Sequence, residues 1–374
     1  MQKEKIKVAV GLSGGVDSAV SAALLKDQGY DVIGVHMLRW DDDIPGCTGS
    51  IDRQDALQVA KYLNIPFRVV DFQSDYKKLV VDRFLSEVQK GYSPNPDVWC
   101  NEFLKFGVFM DYALHKLGVE YIATGHYARI KQIGNRNSSI RKSSTLYQKD
   151  SKEGYLLKRG VDETKDQSYF LYRLSQFQLL HILFPLGELT KNEVRARAES
   201  YGLNVAHKKD SVGICFIGDI NVAEFITEHT VVSKGLVADM SGKEIGFHQG
   251  VQLYTIGQRS GFTLTQYQGD PLYVVKKDVQ HNTLVVGRGV DSDVLGFTVS
   301  ELFIHEGMDK LPESVLVRIR HLGELLVARI HVGAGGELKV EFTEPVRAVS
   351  PGQHAVFYDE HAQVLGGGGI ALTY

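Results

Sequence analysis

Apolar and polar positions over the first third of the chain switch repeatedly between two periods. Short β-branched runs at Lys5–Val10, Val32–Leu38, Phe67–Asp71 and Tyr121–Thr124 read as strands buried on both faces. Between them apolar residues recur at helical spacing. Ala56, Val59, Ala60 and Leu63 do so over Asp52–Leu63, and Phe103, Phe106, Met110, Ala113 and Leu117 over Glu102–Leu117; Asp75–Val88 is a third such stretch. This alternation predicts a parallel sheet covered on both faces, with ligands beyond the carboxyl ends of its strands. A strand over Tyr155–Lys158 follows, then helices over Ser168–Leu183 and Lys191–Tyr201. The second opens with the capping-box sequence Thr190-Lys191-Asn192-Glu193 and stops at Gly202.

Beyond residue 219 the period shortens. Val315, Val317 and Ile319 alternate with Leu316, Arg318 and Arg320, and Leu326, Ala328 and Ile330 with Val327, Arg329 and His331. Further strands fit Glu337–Phe342, Arg347–Val349, His354–Tyr358 and Ile370–Thr373, a spacing that predicts a small antiparallel barrel. The chain therefore reads as an α/β nucleotide-binding domain over 1–219, a Gly- and Tyr-rich central linking domain over 220–293, and a C-terminal β-barrel over 294–374. The basic, Ser/Asn-rich run 131–153 reads as a solvated loop rather than an RNA contact.

Composition narrows the function classes. With 374 residues, 43% hydrophobic and 23% charged, the chain has room for several domains. A net charge of −3 gives no global electrostatic case for nucleic acid, so RNA binding must come from a local patch. No apolar run approaches the roughly 20 residues of a membrane-spanning helix, and no signal sequence precedes Ile6, so cytoplasm is the expected compartment. Cys47, Cys100 and Cys215 are too few and too scattered for a disulfide framework, and Cys47 has no partner at metal-ligand spacing.

The densest chemistry lies in Gly11-Leu12-Ser13-Gly14-Gly15-Val16-Asp17-Ser18, between the first strand and the first helix. Open N–H groups at a helix N-terminus hold phosphate, the glycines let backbone approach, and the serines add donors. The loop lacks the lysine of GxxxxGK[ST], which argues against a Walker-type clamp. In Asn95-Pro96-Asp97-Val98-Trp99-Cys100-Asn101, a helix expected near Glu102 places Cys100 at or just before a first turn, where a thiolate is favoured. A small buried core residue explains Cys100 equally well. Asp97 fits a helix cap or an acid/base group. Cys215 lies in a glycine-flanked segment that reads as a mobile loop or a strand core. Lys165-Asp166-Gln167-Ser168 reads as a helix cap or an RNA contact, and His126, at the end of the fourth strand, as a polar strand end or a base contact.

Taken in order, GLSGGVDS (11–18), NPDVWCN (95–101), ATGHYAR (123–129), KDQSYFLY (165–172), GICFIG (213–218), YTIGQR (254–259) and PGQHAVFY (351–358) resemble the tRNA-specific 2-thiouridylase (MnmA) family of PP-loop ATPases. The resemblance spans nearly the whole chain. It implies a PP-loop sheet domain of the adenine nucleotide α-hydrolase type, a small central domain and a C-terminal antiparallel barrel that binds tRNA. It further implies ATP- and Mg²⁺-dependent 2-thiolation of the wobble uridine of glutamate, glutamine and lysine tRNAs, with AMP and pyrophosphate released. Gly11 to Ser18 would hold ATP, with Met37 and Gly125 beside the adenosine. Cys215 would carry sulfur as a persulfide from a donor protein, and Cys100 would be the second thiol, the pair closing a transient disulfide. Asn95, Pro96 and Asp97 would surround the target base, and His126, Lys165, Asp166, Gln167 and Gln353 would meet tRNA. Where the family's barrel offers an Arg-Tyr pair, this chain has Arg320-His321.

Three other readings use the same residues differently. A PP-loop ligase or amidotransferase would need no cysteines. A non-catalytic tRNA-binding protein would need no ATP turnover. An iron–sulfur cluster on Asp97, Cys100 and Cys215 would replace the persulfide, although the chain has no CxxC.

Overall fold

The computed structural model describes residues 5–38, 49–133, 154–210, 221–305 and 311–374. Cys47, Cys215 with its GICFIG motif, and nearly all of the basic run 131–153 lie outside the described residues. In chain order the first part carries β1 (Lys7–Gly11), α1 (Val16–Asp27), β2 (Asp31–Met37), α2 (Gly49–Tyr62) and β3 (Phe67–Val70). Two long helical segments follow, α3 over 73–89 and α4 over 96–117, then β4 (Tyr121–Ala123). β5 (Ala128–Ile133) and β6 (Gly154–Arg159) form an antiparallel ribbon; α5 (Gln176–Leu180), β7 (Ile182–Leu183) and α6 (Lys191–Ser200) complete the domain.

The parallel sheet runs β3-β2-β1-β4-β7. β1 is central, and its Val8, Ala9 and Val10 are buried on both faces, as the unalternating apolar run predicts. One face packs on α1, α2 and α6 through Val20, Ala23, Val59 and Val194. The other packs on α3 and α4 through Phe84, Phe106 and Phe109, and that core continues into Val356, Tyr358 and Val364 of the C-terminal domain.

In the barrel, the strands expected at Glu337–Phe342 and Arg347–Val349 are one, Leu338–Arg347, which ends where Ala348 turns to φ +57°. Two helix expectations are also corrected. The helix expected over Ser168–Leu183 is broken into a single 3₁₀ turn at Ser168–Phe170, the short α5 and the strand β7. Asp166 accepts the Ser168 N–H, and Ser175 with Gln178 closes a capping box, so local side chains restart the backbone twice. The second correction moves the start of α4 from Glu102 back to Pro96, because Asn95 accepts the Asp97 N–H and Pro96 sits at the first helical position.

The central domain folds β8 (Gly235–Ala238), β9 (Glu244–His248), β10 (Thr263–Leu264), β11 (Tyr273–Asp278) and β12 (Thr283–Gly287) into one sheet around Val237, Ile245, Leu284 and Val286. β13 (Asp293–Ile304), β14 (Ser314–Arg318), β15 (Leu326–Val332), β16 (Leu338–Arg347), β17 (His354–Tyr358) and β18 (Val364–Thr373) close an antiparallel barrel in the order β13-β16-β15-β14-β17-β18. The fold is therefore the expected α/β sheet domain followed by a small central domain and a barrel. Among the described residues no helix is long and apolar enough to cross a membrane.

The barrel is fastened to the sheet domain. A Cβ on Gly367 would lie 2.4 Å from the Ala355 carbonyl and 2.9 Å from the Tyr172 ring, so glycine lets that ring seat on the barrel wall. Tyr172 Oη and His354 Nδ1 are 2.9 Å apart, and Tyr169 Oη donates to the His354 carbonyl at 2.8 Å. Burial, aided by the Arg173 and Arg83 charges, pushes His354 down to about 3, and burial pushes His305 down to about 4. Between about pH 6.5 and 4 the unfolded imidazoles take up protons that the native ones refuse. The stability these neutral histidines confer is thus present above about pH 6.5 and drains away as the pH falls, toward 4 for His305 and toward 3 for His354. The ceiling is about 1.4 kcal/mol per pH unit for each histidine. Urea unfolding at pH 7, 6 and 5 should show the midpoint falling, and the fall should be shallower in His354→Gln.

Candidate functional site

The glycine loop is built by the end of β1 and the start of α1. The Leu12 N–H donates to Val35, and its carbonyl lies 2.8 Å from His36 Nδ1, which pins the loop to β2. Gly14 has φ +83°, and a Cβ there would stand 2.2 Å from the Asp52 carbonyl of α2. Only glycine fits. Ser18 Oγ accepts the Ser13 N–H at 3.2 Å and donates to the Gly15 carbonyl at 3.1 Å. No side chain caps α1 at Gly15, leaving its N-terminus able to receive an anion. Gly125 follows β4, and a Cβ on it would lie 2.9 Å from Asp17 and Ser18, so it too sits against this N-terminus. The position a Cβ of Gly11 would take is 3.8 Å from Met37 Cε and 3.7 Å from Phe109 of α4. Gly11 therefore packs directly against Met37 and the helix of Cys100, and the uncapped α1 N-terminus beside it fits the phosphates of a nucleotide.

A belt of ion pairs surrounds the loop. Asp17 accepts from Tyr127 Oη at 2.8 Å and from Lys191 Nζ at 2.8 and 2.9 Å. Lys191 also meets Asp210, which is shared with Lys165 and Arg195. Burial alone would raise the Asp210 carboxyl, but the Lys165 and Lys191 ammonium groups hold it down at about 2. Lys208 donates to the Gly14 carbonyl and pairs with Asp52 and Asp55. The place of Tyr127 after the fourth strand puts it at the ligand edge of the sheet, but sequence reasoning missed Lys191, Arg195 and Lys208 as neighbours of the loop. The capping box fixed where Lys191 sits on α6, but nothing in the sequence aimed it at Asp17.

Cys100 is 0% exposed and lies in the second turn of α4, where its π-helical stretch Cys100–Val108 begins. The earlier helix start therefore moves Cys100 out of the first turn, to which the dipole's effect is confined. Its neighbours tie α4 to the barrel. The Arg83 guanidinium lies 4.4 Å over the Trp99 ring, His354 meets that ring edge-on, and Glu102 pairs with Arg173 at 2.7 Å. Gln353 Nε2 donates to the Ser93 carbonyl at 2.5 Å, and the Ser93 N–H donates to Pro351, so the barrel grips the chain just before Asn95. Asn95 and Asp97 are half-buried, and Asn101 Nδ2 donates to the Asp97 carbonyl.

The residues expected to meet tRNA are placed unevenly. Arg320 is exposed, and His321 lies 4.2 Å from the Phe170 ring, with burial lowering its imidazole to about 4. Lys165 is half-exposed and paired with Asp210, while Gln167 Oε1 accepts the Tyr127 N–H. His126 is packed between Phe106 and Phe184, bonded to Thr124, and held neutral by burial. Asp166 departs most from expectation. Its carboxylate is 0% exposed and bound by Arg318 at 2.7 Å, Arg159 at 3.3 Å, the Gly160 and Ser168 N–H groups and the Ser168 hydroxyl. The Asp166 oxygens are thus taken up within the protein, and the carboxylate fixes the backbone between Lys165 and Gln167.

A glycine loop on a parallel sheet, joined to a small sheet domain and a barrel, defines a multidomain nucleotide-loop enzyme of the HUP class. Residues 6–219 match the tRNA methyl transferase HUP domain, 223–288 the tRNA methyl transferase PRC-barrel domain, and 295–370 the aminomethyltransferase beta-barrel domain. Proteins described as tRNA-specific 2-thiouridylase MnmA are similar end to end. The one from Streptococcus equi subsp. zooepidemicus (strain MGCS10565) is 43% identical over 99% of this chain and 96% of its own. The one from Streptococcus pyogenes serotype M4 (strain MGAS10750) is 42% identical over the same shares. The chain belongs to the MnmA family of tRNA 2-thiouridylases and is an enzyme of that kind.

Proposed function

We propose that this enzyme activates the wobble uridine of glutamate, glutamine and lysine tRNAs with ATP and replaces its C2 oxygen by sulfur. The observation that supports this reading is the contact of the two halves: Gly11, at the entry to the anion loop, packs directly against Phe109 of the Cys100 helix, the position a Cβ would take lying 3.7 Å from that ring. A uracil carbonyl oxygen is a poor leaving group. Attack of that oxygen on the α-phosphorus of Mg²⁺-bound ATP expels pyrophosphate onto the donors at the start of α1 and makes AMP the leaving group. A persulfide on Cys215, loaded by a sulfur-donor protein, then attacks C2 and AMP departs. The Cys100 thiolate attacks the Cys215 sulfur, breaking the S–S bond to the transferred atom and leaving 2-thiouridine and a Cys100–Cys215 disulfide, which an external thiol reduces.

Asn95, Pro96 and Asp97, at the mouth of α4, would receive the base once it leaves the anticodon stack, with Asp97 moving the proton. Lys165, Gln167, His126, Gln353, Arg320 and His321 would contact or frame the tRNA, with Asp166 setting the geometry. Pyrophosphate release tests the ATP half directly. It should appear only when ATP and substrate tRNA are both present. Gly14→Ala should lower it by at least about tenfold, because the added Cβ forces the loop off α2. Release that ignores tRNA, or a fully active Gly14→Ala protein, would count against the reading.

A further inference from the structure

The anion loop has no lysine of its own, yet a triphosphate carries more negative charge than helix amides alone neutralise. Lys208, on the Gly14 carbonyl, is already paired with Asp52 and Asp55, and the other cations beside the loop come from elsewhere in the chain. Lys191 and Arg195 stand one turn apart on α6, so both point the same way. The Lys191 side chain is only 10% exposed, and its Nζ bridges both oxygens of Asp17, in the first turn of α1, to Asp210 Oδ1 at 2.8 Å. Arg195 Nη2 reaches the same Oδ1 at 2.8 Å, and Lys165 Nζ reaches Oδ2 at 2.7 Å. One carboxylate thus takes hydrogen bonds from two ammonium groups and a guanidinium, the pattern in which proteins bind a phosphate oxygen.

We propose that Lys191, Lys165 and Arg195 are the cationic wall of the triphosphate site, and that Asp210 occupies their donors until a phosphate displaces it. This rests on the ATP reading above and extends it to residues outside the glycine loop. The charges favour exchange. Three cations against Asp17 and Asp210 leave one net positive charge, and moving Asp210 aside leaves two to meet the phosphates. Asp210, held well below the usual carboxylate range, stays ionised and yields only to a stronger anion. Lys191 then keeps Asp17 and gains phosphate, which joins α6 to the start of α1.

The test is equilibrium binding of ATP and AMP to the full chain without tRNA. Lys191→Met should weaken ATP by about tenfold or more and leave AMP unchanged, since AMP lacks the terminal phosphates. Lys165→Met, a change at a half-exposed side chain, should do the same more mildly. Asp210→Asn removes the competing charge and should tighten ATP by at least about threefold while AMP again stays put. A purely structural ion-pair cluster predicts something else: both nucleotides weakened alike, or neither affected, in Lys191→Met, and no gain in Asp210→Asn. Either result overturns the proposal while ATP binding by the parent still stands. A parent that binds neither nucleotide overturns the ATP reading and this proposal together.

Discussion

Cys100→Ala protein should bind ATP and tRNA as the parent does and yet form no 2-thiouridine, a loss of at least about a thousandfold in turnover. Alanine is the informative substitution because the side chain is fully buried among Val98, Trp99 and Leu104. Serine would put a second kind of hydrogen-bonding group at that position and so confound loss of the thiol with a new contact. Burial also changes the chemistry expected of this thiol. In the second turn of α4 it gains little from the helix dipole. Cys215→Ala should give the same loss, since each cysteine breaks or carries a bond the other cannot. Retained 2-thiouridine formation in either variant would remove that cysteine from the proposed sulfur-transfer sequence.

Asp166→Ala should destabilise the protein by about 3–5 kcal/mol, because a buried carboxylate leaves Arg318 and Arg159 facing one another without it. The loss falls at the junction of barrel and sheet domain, where Ser168 also meets Tyr358 Oη. Denaturant unfolding should show the lower midpoint. Pairing Asp166→Ala with Arg318→Met should recover part of it, since no stranded charge then remains at position 318. A single Asp166→Ala variant with the parental midpoint would contradict the structural role assigned to this carboxylate.

The sequence made the scaffold legible where burial and periodicity coincide. The runs at Val8–Val10 and Val32–Val35 are strands because both faces of the sheet are covered, and the helical spacing at Ala56, Val59 and Ala60 marks the face α2 buries. It failed where the signal is short or chemically silent. β7 is two residues, too short for any period, and was absorbed into a helix. The glycines of β18 carry no apolar signal, although their missing side chains are what lets Tyr172 approach. β13, with Glu301 at φ +48°, has no uniform alternation. At the site, the loop from Ser13 to Ser18 was readable because a glycine-rich strand-to-helix turn has few other uses. The partners Lys191 and Asp210 were not, because long-range ion pairs leave no local pattern. Of the two readings of Asp166, the cap agrees with its bond from the Ser168 N–H, while its pairing with Arg318 and Arg159 left no local signal.

The most direct test of the account is the mass of the tRNA itself. Substrate tRNA incubated with the protein, ATP, Mg²⁺ and a persulfide donor should gain the mass of one oxygen-to-sulfur exchange, localised by nuclease digestion to the wobble uridine, with AMP formed in equal amount. Unchanged tRNA in the presence of a competent donor, or sulfur incorporated without ATP, would contradict it.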